Sequence, residues 1–345
     1  MSVDKNYCMS SFLAFRYIER DDADFAEGLH HVPFRQMSDD NKVFVHSAKD
    51  IDTAIQKQFD ALRGKKLGIL LSGGMDSAIL ASYMPGQEAY TFRFNGGEYQ
   101  KQELQRAEYY AEYYGLNLHY VDISWDMVER NIDTVMETKQ TPVHSIEPQV
   151  YEGALHARAD GVDVIIIGDA SDYVFGGMDG LLSQDWKFED FYKRFIYVEP
   201  ADVLKEPVDM HYAFEPFRRG EYIDFLGMMD TITTDESYDS YKNAFKAADM
   251  PHLDPYEMLK MAEPLDLARI RNGESKYLIR ELFTMKYPEI SVPEKVPMPR
   301  PVDEYFRNWE GPKRPEFKEN TDMSNFSGNQ KWLIWCLERF LNNYC

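Results

Sequence analysis

The sequence predicts an α/β fold, in which a doubly wound parallel sheet is followed by a largely helical C-terminal half. Short, continuous apolar runs, typical of strands buried on both faces, recur through the first half of the chain. Stretches with helical spacing of apolar residues separate these runs, and strands that alternate with helices form parallel sheets. After about residue 185 the pattern changes to aromatic-rich amphipathic segments, which predicts helices.

The first half supplies the predicted sheet. A helix is expected at residues 50–62, where apolar residues recur at helical spacing until Gly64 ends the pattern. Further helices are expected at residues 101–114 and 148–159. The predicted strands are residues 67–71, 89–94, 117–121 and 162–167.

The second half should contain helices at residues 222–229, 238–248, 275–285 and 331–341. Residues 287–318 hold many of the 17 prolines, so an ordered loop near a site or a surface connector is expected there. We expect residues 1–49 to lead into one domain over residues 50–345, with an α/β core at about 50–185 and a helical part at about 186–345. The two parts are expected to share one cleft.

The composition fits a globular protein and limits its partners. The chain has 345 residues, 44% of them hydrophobic, which is enough to bury a core. Its 38 Lys and Arg residues against 59 Asp and Glu residues give a net charge of −21, which repels nucleic-acid phosphates and anionic lipid. We therefore expect no nucleic-acid partner and no membrane association.

The spacing of the cysteines and the length of the apolar runs indicate in which cellular compartment the protein is located. Cys8, Cys336 and Cys345 show neither metal-ligand spacing nor the pattern of a disulfide framework. No run of about 18 apolar residues occurs, and the first residues lack a signal-peptide pattern. These features predict a cytoplasmic protein.

Residues 72–77 read SGGMDS and stand between the first strong strand and a predicted helix. The glycines let the backbone turn tightly and bring N–H groups toward a phosphate, and the hydroxyls of Ser72 and Ser77 add contacts. Asp76 repels a bare phosphate, so its position implies Mg²⁺. The alternative is a Gly-Gly turn in which Asp76 only caps the helix.

Two motifs carry a resemblance to a known family. SGGMDS resembles the SGGxDS pyrophosphate loop of the N-type ATP pyrophosphatases, and GDASDYVFGG at residues 168–177 resembles the GEGADELFGG segment of asparagine synthetases. MPHLDPYEML, NGESKYLIRELF and PEKVPMPRP are weaker matches further along the chain. The chain thus resembles the synthetase domain of the asparagine synthetase family, to which β-lactam and carbapenam synthetases are related. The resemblance implies an adenine nucleotide alpha-hydrolase-like fold.

The resemblance does not include the family's glutaminase half. Position 2 holds Ser2, whereas glutamine-hydrolysing members expose a cysteine at the mature N-terminus. We therefore expect no glutamine hydrolysis by this chain. Free ammonia, ammonia from a separate glutaminase subunit, and an amine already on the substrate remain open as nitrogen sources. The family resemblance also implies a homodimer.

The resemblance assigns the nucleotide-binding residues by motif position. The pyrophosphate is expected on the SGGMDS loop, the adenine and ribose against Leu71 and Phe92, and the nucleotide close to Gly168. The expected ATP-binding residues are therefore Leu71, Ser72, Gly73, Gly74, Asp76, Ser77, Phe92 and Gly168.

The resemblance also assigns metal-binding and catalytic residues. Asp76 and Asp172 match the family's Mg²⁺-binding carboxylates. Lys276 and Lys295 match two lysines that meet the phosphates as pyrophosphate leaves, where fixed positive charge lowers the barrier. Asp169 stands where asparagine synthetases have Glu, and it can still accept a proton from the attacking amine; a loop residue with no proton-transfer role is the alternative.

Several other residues near these motifs have open roles. Tyr173 stands where asparagine synthetases usually have a second acidic residue, which weakens the expectation that the product is asparagine. Arg218 and Arg219 suit either a grip on a second substrate carboxylate or a surface pair. His144 and Glu147 precede the second motif, and no catalytic role is assigned to them.

The motifs together predict an amide-forming ligase. ATP and a small-molecule carboxylic acid should give an acyl-adenylate and pyrophosphate, after which ammonia or an amine displaces AMP; ATP and Mg²⁺ are the expected cofactors. The alternative is a non-catalytic or partner-dependent ATP-binding subunit of an amidotransferase complex. A tRNA-modifying or sulfur-transferring ATP pyrophosphatase is disfavoured by the net charge and the isolated cysteines.

Overall fold

The computed structural model describes residues 2–94, 98–294, 300 and 302–345 of the chain. Its strands, in chain order, are β1 Ser2–Val3, β2 Ala23–Asp24, β3 Val43–Val45, β4 Leu67–Leu70, β5 Glu88–Arg93, β6 Asn117–Asp122, β7 Val164–Ile166, β8 Arg218–Arg219, β9 Tyr222–Ile223, β10 His252–Leu253 and β11 Leu259–Met261. Its α-helices are α1 Lys5–Phe15, α2 Ala48–Ala61, α3 Met75–Ala81, α4 Glu98–Tyr114, α5 Trp125–Lys139, α6 Glu147–Ala159, α7 Ser171–Val174, α8 Asp179–Leu182, α9 Phe188–Phe195, α10 Pro200–Val203, α11 Phe225–Met228, α12 Thr234–Ala247, α13 Leu267–Arg271, α14 Tyr277–Lys286, α15 Val302–Tyr305 and α16 Gly328–Tyr344.

The central sheet has five parallel strands in the order β10-β7-β4-β5-β6. Gly68 of β4 lies opposite Glu88 of β5 on one side and Ile165 of β7 on the other. The chain runs outward from β4 through β5 to β6, then crosses back to β7 and β10. Helices α2, α3, α4 and α14 contact one another on one face, and α5, α6 and α12 do so on the other. The predicted doubly wound α/β fold is therefore confirmed.

The reversal of winding at β4 fixes where a ligand can bind. In open sheets of this kind, the crevice lies beyond the carboxyl ends of the strands, where neighbouring connections depart to opposite faces. Here β4 continues into the SGGMDS loop and β7 into the GDASDY segment, and the two strands are neighbours. The fold thus brings the two motifs to one edge of the sheet.

Most predicted elements of the sheet are confirmed. The four predicted strands correspond to β4, β5, β6 and β7, with ends that differ by at most two residues. The sequence does not predict β10, because a strand of two residues shows no periodicity. Main-chain hydrogen bonds hold it to β7, from the Ile165 N–H to the Pro251 carbonyl at 2.9 Å and from the Ile167 N–H to the Leu253 carbonyl at 3.0 Å.

The predicted helix at residues 222–229 is wrong at its start. Tyr222–Ile223 is the strand β9, which forms a short antiparallel hairpin with β8. Gly220 between them has a φ of +66°, a left-handed conformation that glycine adopts without strain and that allows the turn. The helix α11 then begins at Phe225 and continues through the π-helix Met229–Thr233 into α12.

The segment before the sheet belongs to the same core. Helix α1 is buried from Tyr7 to Phe15 and contacts α16, so residues near both ends of the described chain pack together. Helix α2 buries its apolar stripe of Ile51, Ile55 and Phe59, as its helical spacing predicts. None of the helices in the described ranges combines the length and apolarity needed to cross a membrane.

Candidate active site

The SGGMDS loop forms a closed turn between β4 and α3. The Ser72 and Ser77 hydroxyls lie 3.0 Å apart, the Ser72 N–H donates to the Ser77 hydroxyl at 3.1 Å, and the Gly74 N–H donates to the Ser72 hydroxyl at 3.1 Å. The two serines therefore fix the shape of the turn from within. The helix α3 begins at Met75, directly after the turn, and the amides at a helix N-terminus stabilise anions.

Gly73 is required by packing as well as by the turn. A Cβ atom at this position would lie 2.7 Å from the main-chain oxygen of Glu103 and 2.9 Å from its Cα, both in the backbone of α4. The Glu103 side chain is buried beneath the loop. Burial raises its pKa to about 7, although a hydrogen bond from the Gly73 N–H acts in the opposite direction and lowers that pKa. Among the described residues, its Oε2 atom has no hydrogen-bond partner. The loop thus rests on a buried acid that the sequence analysis did not single out.

Lys276 joins the two motifs. Its ammonium nitrogen lies 2.8 Å from Asp76 Oδ2 and 2.5 Å from Asp172 Oδ1, and the side chain is buried. Burial alone would lower the pKa of Lys276, but the two carboxylates outweigh it and raise that pKa well above its ordinary value. Ser171 also donates to Asp76 Oδ1 at 2.6 Å. Two acidic side chains from different helices, α3 and α7, therefore converge on one cation.

Gly177 gives Lys276 room to reach this position. A Cβ at Gly177 would lie 2.0 Å from Asp172 Oδ1 and 2.1 Å from Lys276 Cε. Lys276 stands just before α14. Its φ of +52° is a left-handed backbone conformation that non-glycine residues seldom adopt. Such strained backbone conformations are found most often at functional sites.

Asp169 lies three residues after the end of β7 and is partly buried. It accepts a hydrogen bond from the Ser237 hydroxyl of α12. Burial raises the pKa of Asp169 to about 7, and the charges of Asp172 and Glu236 add to this against the lowering effect of Ser237. A carboxyl group with a pKa near neutrality suits a proton acceptor.

The strand β10 brings two further residues to the site. Asp254 accepts hydrogen bonds from the Ala170 N–H at 2.7 Å and from the Tyr256 N–H at 3.0 Å, so it holds the start of the GDASDY segment. The Tyr256 hydroxyl donates to the Asp76 carbonyl at 3.0 Å. Sequence reasoning missed both residues, although the MPHLDPYEML match contains them.

A cavity of about 220 Å³ lies between these groups. The predicted site residues that line it are Ser72, Gly74, Asp76, Ser77, Gly168, Asp169, Asp172 and Lys276. Further lining residues include Leu70, Tyr241, Ser275, Arg280 and Pro293. This cavity, called here the phosphate cavity, thus unites most of the residues that the motifs predicted.

Three predicted residues do not line the phosphate cavity, and a fourth lies outside the described residues. Leu71 and Phe92 are buried and do not line the phosphate cavity; the preceding residue, Leu70, does. Side chains alternate along a strand, and the Leu71 N–H continues the ladder to the Tyr90 carbonyl, so Leu70 and Leu71 point to opposite faces. Gly73 faces α4, and Lys295 lies outside the described residues.

Arg218 and Arg219 lie away from the phosphate cavity. Both are exposed, and they pair with Glu215 at 2.9 Å and Asp224 at 3.3 Å. The structure thus shows them as a surface pair, which is one of the two interpretations that the sequence allowed. Glu147 is buried and pairs with Lys139 at 2.9 Å.

The fold is a doubly wound α/β fold with both motifs at one edge of its sheet. The sequence profile of the asparagine synthase family matches residues 48–310. Because that match covers most of the chain, the protein belongs to the asparagine synthase family. At this level it is an ATP-using carbon–nitrogen ligase or synthetase.

Two solved structures are similar to the chain. One is the U34-tRNA thiolase NcsA from Methanococcus maripaludis with its 4Fe–4S cluster, at 14% identity over 72% of this chain and 82% of that one, with a TM-score of 0.28. The other is NMN synthetase from Francisella tularensis, at 13% identity over 72% of this chain and 97% of that one, also with a TM-score of 0.28. A search of curated proteins gave no match.

Proposed function

We propose that this chain is an AMP-forming carbon–nitrogen ligase that adenylates a carboxylic acid and transfers the acyl group to ammonia or an amine. One observation carries the proposal: Lys276 joins Asp76 of the SGGMDS loop to Asp172 of the second motif inside one cavity. A phosphate-binding turn, two carboxylates and a buried cation are the groups that a reaction at the α-phosphate of ATP requires.

The reaction has two steps. In the first, a carboxylate oxygen of the acid attacks the α-phosphorus of ATP, the bond to the β-phosphate breaks, and pyrophosphate leaves. The hydroxyls of Ser72 and Ser77 and the amides of the loop contact the β- and γ-phosphates, and Lys276 offsets the charge that develops on the departing pyrophosphate. In the second, the amine nitrogen attacks the acyl carbon and the bond to AMP breaks.

Asp169 is the proposed proton acceptor of the second step. The attacking nitrogen must lose a proton as the amide forms, and this carboxylate, three residues after β7, lines the cavity in which the acyl-adenylate would lie. The hydrogen bond from Ser237 fixes the orientation of that carboxylate. Because aspartate is one methylene shorter than glutamate, the amine is expected to bind closer to β7 than a glutamate would require.

The residues present fit a magnesium ion that arrives with ATP. Asp76 and Asp172 already share one cation, Lys276, so their oxygens converge on a single point. The described residues contain no group of three or more His, Cys, Asp or Glu ligands. Mg²⁺ is commonly held by one or two carboxylates together with phosphates and water, and when bound it would neutralise phosphate charge.

A product assay tests the proposal. Purified chain is incubated with ATP, Mg²⁺, ammonium and a panel of carboxylic acids, and AMP with pyrophosphate is separated from ADP with phosphate. AMP that rises with one acid is the expected result. Asp76→Asn should abolish it, whereas Asp60→Asn, which changes an exposed aspartate paired with Arg63, should leave it unchanged.

The same assay can overturn the proposal. ATP binding without AMP formation across the panel would favour a non-catalytic or partner-dependent subunit. Full activity of Asp76→Asn would remove the metal and phosphate assignment at the SGGMDS loop.

A further inference from the structure

Glu103 is a buried acid that neither step of the proposed reaction uses. It lies on α4 and is 6% exposed. A Cβ at Gly73 would lie 3.0 Å from Glu103 Cγ, and the Gly73 N–H donates a hydrogen bond to the Glu103 carboxylate. The SGGMDS loop therefore rests directly on this acid, which contacts the loop without lining the phosphate cavity.

Among the described residues, no cation is paired with the Glu103 carboxylate. Its Oε2 atom has no hydrogen-bond partner there. Arg106 of the same helix lowers the pKa of Glu103 through its charge, but its guanidinium donates to the Glu294 carbonyl at 2.9 Å. Charged side chains on the elements around α4 have partners elsewhere: Asp76 with Lys276 and Ser171, Arg93 with Asp122, His119 with Glu88, Arg280 with the Ser275 carbonyl, and Lys286 with Asp52. The buried carboxylate thus lacks a compensating partner of its own.

Glu103 is held in place, because its helix is tied to the sheet on the same face. One turn before Glu103, the side-chain carbonyl of the buried Gln100 accepts a hydrogen bond from the Phe94 N–H at 3.3 Å. Positions i and i+3 of a helix are neighbours on one face. The two side chains therefore connect α4 to the loop after β4 and to the residue after β5. Glu103 responds to a new charge at the loop by a change in protonation rather than by moving away.

Burial brings Glu103 close to the balance between its charged and neutral forms. Desolvation raises its pKa to about 7, and the Gly73 hydrogen bond and the charge of Arg106 lower that pKa without cancelling the effect of burial. A further negative charge nearby raises the pKa of a carboxyl group again. Near neutral pH, a moderate electrostatic change is thus enough to add a proton.

ATP would bring such a charge to the other side of the loop. Lys276 is already shared by Asp76 and Asp172, at 2.8 Å and 2.5 Å, so its charge is largely offset before a triphosphate arrives. Phosphates in the cavity and an ionised Glu103 under the loop repel each other across the Gly73 peptide group. Protonation of Glu103 removes that repulsion and leaves a neutral carboxyl group that still accepts a hydrogen bond from Gly73.

We propose that Glu103 is a positioning residue that takes up a proton from solvent when ATP binds to the SGGMDS loop. The inference rests on the proposed function in that it places ATP at this loop. The neutral carboxyl group supports the loop under the phosphates, and the proton returns to solvent when pyrophosphate leaves. Because the pKa of Glu103 is lower in the free protein than in the complex, ATP affinity is highest below about pH 7 and declines as pH rises through that value.

Calorimetry measures the proton uptake directly. A non-hydrolysable ATP analogue with Mg²⁺ is titrated into the full chain at pH 7.5 in buffers of different ionisation enthalpy, and the dependence of the binding enthalpy on the buffer gives the number of protons taken up. Wild type should take up roughly half a proton more per analogue than Glu103→Gln. Between pH 6.5 and pH 8.5, the dissociation constant of wild type should rise about fivefold more than that of the variant. The comparison with the variant cancels the titration of the analogue itself.

Two further variants control for structural effects. Glu108→Gln removes an exposed acid of the same helix, which accepts a hydrogen bond from Tyr120 at 2.6 Å, and it should take up protons as the wild type does. Glu103→Asp keeps a titratable acid and should retain the proton uptake, although the analogue binds less tightly. Difference infrared spectroscopy of the wild type needs no variant, because a band of a protonated carboxyl group should appear when the analogue is added at pH 7.5.

The outcomes separate this inference from the ligase proposal. If the analogue binds, and wild type and Glu103→Gln take up the same number of protons with the same pH dependence, the inference is overturned. If the proton uptake depends on Glu103 but no acid gives AMP, the coupling stands and the ligase proposal fails. If the analogue does not bind to the wild type at any pH, ATP does not bind at the SGGMDS loop and both proposals are refuted.

Discussion

Replacing Lys276 with methionine tests the charge balance at the candidate active site. Lys276 is 3% exposed, and its ammonium lies 2.8 Å from Asp76 and 2.5 Å from Asp172. Methionine keeps the side-chain length and removes the charge, so both carboxylates lose their cation. Removing one member of a buried ion pair costs about 3–5 kcal/mol. Because the two carboxylates are 24% and 28% exposed, water offsets part of this, and we expect a loss of about 2 kcal/mol.

Thermal unfolding and AMP formation measure the consequences. A loss of this size should lower the midpoint of unfolding by roughly 4 °C in a protein larger than 200 residues. Mg²⁺ without ATP should raise the midpoint of the variant more than that of the wild type, because the two carboxylates no longer share the lysine. AMP formation should fall about 10²- to 10³-fold, the effect of losing one preorganised group that stabilises developing charge.

Lys286→Met is the matched control. Lys286 lies on the same helix, α14, pairs with Asp52 at 2.6 Å and lies 4.0 Å from the centre of the Tyr83 ring, outside the lining of the phosphate cavity. It should cost stability and leave AMP formation unchanged. The reasoning is refuted if Lys276→Met unfolds at the wild-type temperature, or if it is destabilised but forms AMP at the wild-type rate.

Three further perturbations follow from the packing around the site. Gly73→Ala should weaken binding of a non-hydrolysable ATP analogue at least tenfold, because its Cβ would lie 2.7 Å from a main-chain oxygen of α4; unchanged affinity in calorimetry would contradict this. Burial raises the pKa of Glu103 to about 7, so the folded state binds its proton more tightly than the unfolded state, and this stabilising contribution is lost as pH rises from about 4.5 to about 7. Between pH 5 and pH 8, the free energy of unfolding of Glu103→Gln in urea should therefore rise by about 2 kcal/mol relative to that of the wild type. A difference between variant and wild type that does not change with pH would refute the raised pKa of Glu103. Lys139→Met leaves Glu147 at 2.9 Å and Asp239 at 2.5 Å without their buried cation, so it should cost about 3–5 kcal/mol in urea unfolding, and a cost under about 1 kcal/mol would show that the cluster is not coupled.

The features that sequence reasoning found are those encoded by adjacent residues. The strand β4 is a continuous apolar run, and the SGGMDS loop occupies six consecutive positions, so its turn and hydroxyl contacts follow from local geometry. Because the helices and strands alternate in sequence, their order also predicts the parallel sheet. The error at Tyr222 has a local cause too, since the turn at Gly220, just before the predicted helix, pairs its first two residues with β8.

Residues at the boundary of an element were harder to place. Leu71 follows the last residue of β4, and a shift of one position decides whether a side chain enters the phosphate cavity or the core. A family motif gives the register of the loop but not the face of each flanking side chain. Leu70, rather than Leu71, therefore lines the cavity.

The sequence by itself determined the fold class, the position of the SGGMDS turn and the family, because each of these depends on short-range patterns. Only the tertiary structure decided that Lys276 bridges Asp76 and Asp172, that β10 brings Asp254 beneath the second motif, and that Arg16 and Arg300 share one histidine. Asp76 and Lys276 are 200 positions apart, and no periodicity in the chain records a distance between such residues. Their meeting depends on how the helices pack against the two faces of the sheet.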